Sequence, residues 1–257
     1  MNIKDIIEIV LETDKIFFDE KLRSDVSEKG KFDYVTRADI EISHYLHKRL
    51  KERFPEVGFF SEEEKIFEKG KKYFILDPID GTTNFMHGLS LSALSLGYCD
   101  DGEILAGVIY IPYTKELFWA EKGKGAYLNG KQIKCSRHSK LSECLGILEL
   151  NAYFKDDYKS ALSHSKKIYL NCQDIRTFGS VAVDLAYLAS GRADVFLGRY
   201  LKPWDFAAGM IILSEAGGKL SGLNKKADIN ELNQHIIASN TNVYDEFLKL
   251  FEVENEF

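Results

Sequence analysis

The chain opens with Ile3, Ile6, Ile7, Val10, Leu11, Phe17 and Phe18 recurring among charged residues. That spacing predicts an amphipathic helix over Ile3–Leu22 with one buried face. Ser24–Phe32 is polar, contains Gly30, and reads as a loop or hairpin. Ile42, Tyr45, Leu46 and Leu50 lie close to one stripe, which predicts a second helix from about Arg37 to Arg53, closed by Pro55. The rhythm then changes. Val57–Phe60, Tyr73–Leu76, Leu91–Tyr98 and Ile104–Ile111 are strand-like apolar runs, and Asp101-Gly102 between the last two is a hairpin signal. Glu116–Ala120 and Gly125–Leu128 continue the series, with another tight turn at Asn129-Gly130. Short turns between successive strands predict an antiparallel sheet with helices over one face.

Farther along, strands at Leu145–Leu150, Ala193–Leu197 and His235–Ser239 alternate with helices at Asp157–Lys166, Ser180–Ala189, Phe206–Ala216 and Tyr244–Phe251. Alternation of this kind predicts an α/β layer arrangement. The junction falls near Cys135–Glu143 without a Pro/Gly linker, so two packed halves are expected, residues 1–140 and 141–257.

Composition narrows the class. A chain of 257 residues can bury a large core, and 45% hydrophobic with 29% charged residues is ordinary for a soluble protein. A formal charge of -6 argues against a broad nucleic-acid surface. Cys99, Cys135, Cys144 and Cys172 lie far apart with no C-x-x-C pair, which predicts reduced, mostly buried thiols. No secretory or membrane-length apolar run is present, so no membrane association and a cytoplasmic location are expected.

The segment richest in chemistry is Asp77-Pro78-Ile79-Asp80-Gly81-Thr82-Thr83-Asn84-Phe85, directly after the apolar run Tyr73–Leu76. A strand there delivers two carboxylates to its carboxyl end, followed by a Gly-Thr-Thr segment. Hard divalent cations take carboxylate and carbonyl oxygens, and phosphate takes backbone N–H groups. Three further segments supply acids: Asp33–Asp39, Glu62-Glu63, and Trp204-Asp205. Taken singly, each has a structural meaning. Asp39 fits an early helical turn, Glu62–Glu64 a solvated charge run, and Asp205 a helix cap.

Together these segments resemble the inositol monophosphatase-like family of magnesium-dependent phosphatases. The resemblance runs from about Ile6 to Leu250. It rests on Asp33-x-Val35-Thr36-x-x-Asp39, Glu62-Glu63, the aspartate–glycine–threonine motif from Asp77 to Phe85, Gly179-Ser180, and Trp204-Asp205-x-x-Ala208-Gly209. It implies an α/β (α+β) fold, a layered α/β/α/β/α sandwich with the active site between the halves, and a homodimer. It also implies two to three Mg²⁺ held by Glu62, Asp77, the Ile79 carbonyl, Asp80 and Asp205. Asp77 would bridge two of the ions, and a third would share Glu62. Thr82, oriented by Asp39, would help Glu62 position and deprotonate the attacking water. Gly81, Thr82, Thr83 and Ser180 would line the phosphate pocket, Ser180 also serving as a helix cap. Glu63 matches a nearby acid, Trp204 wedges Asp205, and His87 is expected packed near the site.

Inositol-specific members carry a glutamate seven residues before the aspartate of the tryptophan–aspartate motif. Here that position is Gly198, which has no side chain to offer a hydroxyl. Arg199 and Lys202 beside it suggest a second phosphate, with solvated loop residues as the plain alternative. The expected substrate is a small phosphorylated metabolite, first myo-inositol 1-phosphate. The alternatives are fructose 1,6-bisphosphate or a broader set of sugar phosphates, and a non-catalytic accessory role with transcription machinery. A nucleotide 3′-phosphatase fits less well, because the Glu64–Tyr73 connection is short.

Overall fold

The computed structural model describes residues 2–63 and 70–251; Glu64 and most of the Glu64–Tyr73 connection lie outside them. Three short helices, α1 (Ile3–Leu11), α2 (Asp14–Phe17) and α3 (Glu20–Ser24), replace the single expected N-terminal helix. The breaks have local causes. Thr13 turns its hydroxyl onto the Val10 carbonyl at 2.7 Å, and Asp19 restarts the helix by accepting from the N–H groups of Lys21 and Leu22. A hairpin of β1 (Val26–Gly30) and β2 (Asp33–Thr36) follows, then α4 (Arg37–Arg53) over the expected span.

β3 (Gly58–Ser61), β4 (Lys72–Asp80), β5 (Ala93–Asp100), β6 (Glu103–Ile111), β7 (Glu116–Glu121), β8 (Ala126–Leu128) and β9 (Lys131–Ile133) form one sheet in chain order. It is antiparallel except for the parallel β3–β4 pair. The second sheet contains β10 (Leu145–Glu149), β11 (Asp174–Arg176), β12 (Val195–Leu201), β13 (Gly218–Gly222) and β14 (Gln234–Asn240), in the order β11-β10-β12-β14-β13. β10 runs parallel to both its neighbours, and β14 antiparallel to β12 and β13. The other helices are α5 (Thr82–Met86), α6 (Tyr158–Asn171), α7 (Val181–Ala189), α8 (Pro203–Glu215) and α9 (Tyr244–Lys249).

The period-two alternation of β4 sorts the layers. Phe74 and Leu76 point to a core shared with Ile6 of α1 and with Ile42 and Leu46 of α4. Tyr73 and Ile75 point the other way, into a core with Leu185 of α7, Phe206 and Ile212 of α8, and Phe196 and Ile236 of the second sheet. Leu148, Leu197 and Ile237 face outward under Ile168 of α6 and Phe247 of α9. The result is an α/β/α/β/α sandwich. Helices cover both faces of the first sheet rather than one, because α7 and α8 of the second half cover the other.

α8 sits unusually close to β6. A Cβ on Gly107 would lie 2.7 Å from the Ala208 carbonyl oxygen, so the glycine lets the helix settle onto the sheet. This packing fixes the helix that carries Asp205.

Candidate active site

β4 ends in a bulge. Its ladder with β5 shifts register between Asp77 and Asp80, where Pro78 has no N–H to give. The irregular backbone turns both carboxylates toward one cavity. Gly81 then takes φ +84°, and a Cβ there would lie 2.8 Å from the Gly179 carbonyl oxygen, so only glycine fits between the motif and the second half. Asn84 ties the same join by donating from Nδ2 to the carbonyls of Leu91 (2.7 Å) and Phe178 (2.6 Å).

The cavity, of about 280 Å³, is lined by Glu62, Asp77, Ile79, Asp80, Gly81, Thr82, Thr83, Ser180, Lys202 and Asp205 among the residues singled out above. These come from the ends of β3, β4 and β12 and the starts of α5, α7 and α8. Asp39 stands behind the wall. It is buried and accepts from the Thr36 N–H at 2.8 Å and the Thr36 hydroxyl at 2.5 Å, closing a capping box on α4. The Thr82 hydroxyl lies 3.1 Å from the Ile79 carbonyl and 3.5 Å from Asp39 Oδ1, so the carbonyl is its better acceptor.

Two expected anion contacts are committed elsewhere. The Ser180 hydroxyl donates to Asp80 Oδ2 at 2.7 Å and accepts from the Val183 N–H, so it caps α7 and holds Asp80. Arg199 does not reach the cavity. Phe196–Leu201 is strand rather than loop, and Phe196 faces the central core. Arg199 therefore points to the outer face, buried and ion-paired with Asp157. A bulge with Tyr200 at φ +55° resets the direction and brings Leu201 and Lys202 to the cavity. His87 is exposed and ends α5. Trp204 lines the cavity, edge-on to Phe60 at 5.2 Å.

The acids raise one another's proton affinity. Burial first, then the charges of Glu62, Asp80 and Asp205, holds the Asp77 carboxyl well above the usual range. Burial pushes Asp80 up to about 7 despite its bonds from Ser180 and the Ala182 N–H. Asp205 is raised by burial and then by Asp80, and Asp39 reaches about 7 by burial. Behind them Asp184 is fully buried, with neither carboxyl oxygen hydrogen-bonded among the described residues.

Lys29 of β1 reaches over the mouth, 2.9 Å from both Glu62 and Glu63. Burial works against its charge, but those two carboxylates outweigh it and raise its pKa.

Sequence reasoning passed over Lys29, as well as Glu149, Asn151 and Tyr153 in the cavity wall. Glu149 had a visible signal, an acid ending the apolar run of β10. Lys29 had none, because its reach depends on how the hairpin folds back.

Among the described residues, no group of three or more His, Cys, Asp or Glu stands as a ready-made cage for an ion. The donor set nevertheless suits a hard divalent cation. It is all oxygen, and a cation would offset the burial that raises Asp77, Asp80 and Asp205.

The profile of the Inositol monophosphatase family matches residues 3–254. A Thermotoga maritima protein named fructose-1,6-bisphosphatase/inositol-1-monophosphatase is 37% identical over 218 residues, covering 85% of this chain and 82% of its own. A Salmonella typhimurium protein named Nus factor SuhB is 34% identical, covering 77% of this chain and 74% of its own. The crystal structure of the extragenic suppressor protein suhB from Bartonella henselae superposes with a TM-score of 0.91 at 32% identity, covering 98% of each chain. By fold, motif order and these matches, the chain belongs to the inositol monophosphatase family of phosphate monoester hydrolases.

Proposed function

We propose that the chain hydrolyses phosphate monoesters of small polyols with Mg²⁺, myo-inositol 1-phosphate being the first substrate to test. The observation that carries this reading is the convergence of Glu62, Asp77, Asp80 and Asp205 on one cavity whose other wall is the Gly81-Thr82-Thr83 segment. Glu62, Asp77, the Ile79 carbonyl, Asp80 and Asp205 would hold the ions. Bound Mg²⁺ supplies the charge that lowers the pKa of water and stabilises the leaving alkoxide.

The chain's own residues do the rest. The Thr82 hydroxyl, placed by the Ile79 carbonyl and Asp39, orients a water toward phosphorus. The Glu62 carboxylate takes that water's proton at an Oε atom once Lys29 no longer claims it. Backbone N–H groups of the Gly81–Thr83 turn face the phosphate oxygens. The bonds from Ser180 and the Ala182 N–H fix Asp80 in one rotamer. No covalent phosphoenzyme is needed.

Lys202 in the cavity wall favours a second reading, a bisphosphate such as fructose 1,6-bisphosphate, whose distal phosphate would meet that ammonium. The double name of the Thermotoga relative agrees with either substrate. Phosphate release with and without Mg²⁺ from both compounds, with Asp77→Asn as control, decides between them. Mg²⁺-dependent release from one, lost in the variant, names the substrate class. No release from either overturns the proposal and moves weight to an accessory role of the kind named for the Salmonella relative.

A further inference from the structure

We infer that Glu149 recognises a hydroxyl on the alcohol portion of the substrate and thereby sets the preference for polyols. The inference rests on the phosphatase reading above and adds a specificity residue to it.

β10 and β12 run parallel, and Glu149 stands opposite Gly198 in their ladder. Side chains opposite one another project from the same face of a sheet. Ile147 and Phe196, two residues earlier on each strand, both lie in the central core. Glu149 and Gly198 therefore face the same side, toward the cavity. Gly198 contributes nothing there, because Leu201 and Phe196 fill the space a side chain would take: a Cβ would lie 2.5 Å from Leu201 Cδ1 and 2.7 Å from Phe196 Cζ. Glu149 is the neighbour whose carboxyl reaches the wall.

That carboxyl is only half committed. Its Oε2 accepts from the Gly179 N–H at 3.2 Å, and among the described residues Oε1 has no donor. Among the described residues beside it on this wall, Leu150, Asn151 and Tyr153, none carries a carboxylate. Leu150 is apolar, and the Asn151 amide is already engaged, accepting from the Tyr153 N–H at 2.9 Å and donating to the Tyr200 carbonyl of β12 at 3.2 Å. A carboxylate repels a phosphate and accepts from a hydroxyl. Its partner Gly179 adjoins Ser180, which holds Asp80. A hydroxyl reaching Glu149 would therefore sit close to the ester carbon, as in a vicinal polyol monophosphate.

The test compares kcat/KM for myo-inositol 1-phosphate and fructose 1,6-bisphosphate with that for cyclohexyl phosphate, a ring without hydroxyls. The wild type, Glu149→Ala and Glu149→Gln are assayed in Mg²⁺. In the wild type the better polyol substrate should be preferred over cyclohexyl phosphate. Glu149→Ala should reduce that preference ratio by about 10- to 100-fold, the size of one hydrogen bond to a charged group. Glu149→Gln keeps shape and one acceptor oxygen, so it should reduce the ratio less. If Ala is too unstable to purify, a drop of several-fold in the Gln variant carries the inference. An unchanged ratio in both variants, whether or not overall rates fall, overturns the role of Glu149 while leaving the phosphatase reading standing. A wild type that hydrolyses none of the three overturns the phosphatase reading, and this inference with it.

Discussion

Asp77→Asn should stabilise the protein without Mg²⁺ and remove most of its stabilisation by Mg²⁺. Asp77 is 3% exposed, and its Oδ1 accepts from the Ile79 N–H at 3.1 Å. Asparagine can keep that bond while removing the charge. Burial and then the acids around it hold the Asp77 carboxyl well above its ordinary range, so at pH 8 the folded metal-free protein either carries an unfavourable charge or retains a proton. Removing one buried carboxylate charge that has no compensating cation is worth about 1–3 kcal/mol. At roughly 2–4 °C per kcal/mol for a chain of this size, Tm should rise by about 2–12 °C. Adding Mg²⁺ at about 100 times its Kd should stabilise the wild type by about 2.7 kcal/mol, whereas the variant, lacking one of the carboxylates proposed to hold the ions, should gain little. Calorimetry would then show the variant ahead of the wild type in EDTA and that lead shrinking or reversing in Mg²⁺. A variant less stable than wild type in EDTA, with an undiminished Mg²⁺ response, would refute the reasoning.

Asp39 and Asp80, each raised from 3.8 to about 7, retain protons in the folded state that the unfolded chain has released. The stability they contribute is full below pH 4 and lost as pH rises to about 7. The Tm gap between Mg²⁺-bound and Mg²⁺-free protein should therefore widen from pH 5 to pH 8, and a constant gap in calorimetry would count against it. Gly107→Ala puts a methyl 2.7 Å from the Ala208 carbonyl and should cost about 1–3 kcal/mol, read as a lower Tm, and reduce activity by lifting the helix that carries Asp205. Arg199→Ala removes a buried guanidinium whose partner Asp157 is more than a third exposed, and should lower the midpoint of denaturant titration mainly through lost packing. Lys202→Ala should instead leave stability within about 0.5 kcal/mol while raising KM for a bisphosphate.

How much of this was legible in the sequence depends on the range of the interaction. α4 was readable because its apolar stripe and Pro55 are local signals. The acids of the aspartate–glycine–threonine motif could be placed at a strand end because Tyr73–Leu76 is an unbroken apolar run. The N-terminal helix was overextended because apolar spacing continues through Thr13 and Asp19, whose side chains break it by bonding to nearby backbone. Arg199 was misplaced for a different reason. Its direction depends on a buried strand and a bulge at Tyr200, and neither leaves a periodic trace. Lys29 becomes visible only through the fold-back of the hairpin, and Glu149, though an acid ending an apolar run, can be placed at the cavity only through the β10–β12 register; both are long-range pairings.

The most direct test of the central claim is crystallographic. Mn²⁺, which suits the same oxygen ligands as Mg²⁺, can be located by anomalous scattering in crystals of the protein grown with inorganic phosphate. The account predicts peaks against Glu62, Asp77, the Ile79 carbonyl, Asp80 and Asp205, with phosphate against the Gly81–Thr83 turn and Lys29 withdrawn from Glu62. Peaks bound by other residues, or none in this cavity at millimolar Mn²⁺, would contradict it.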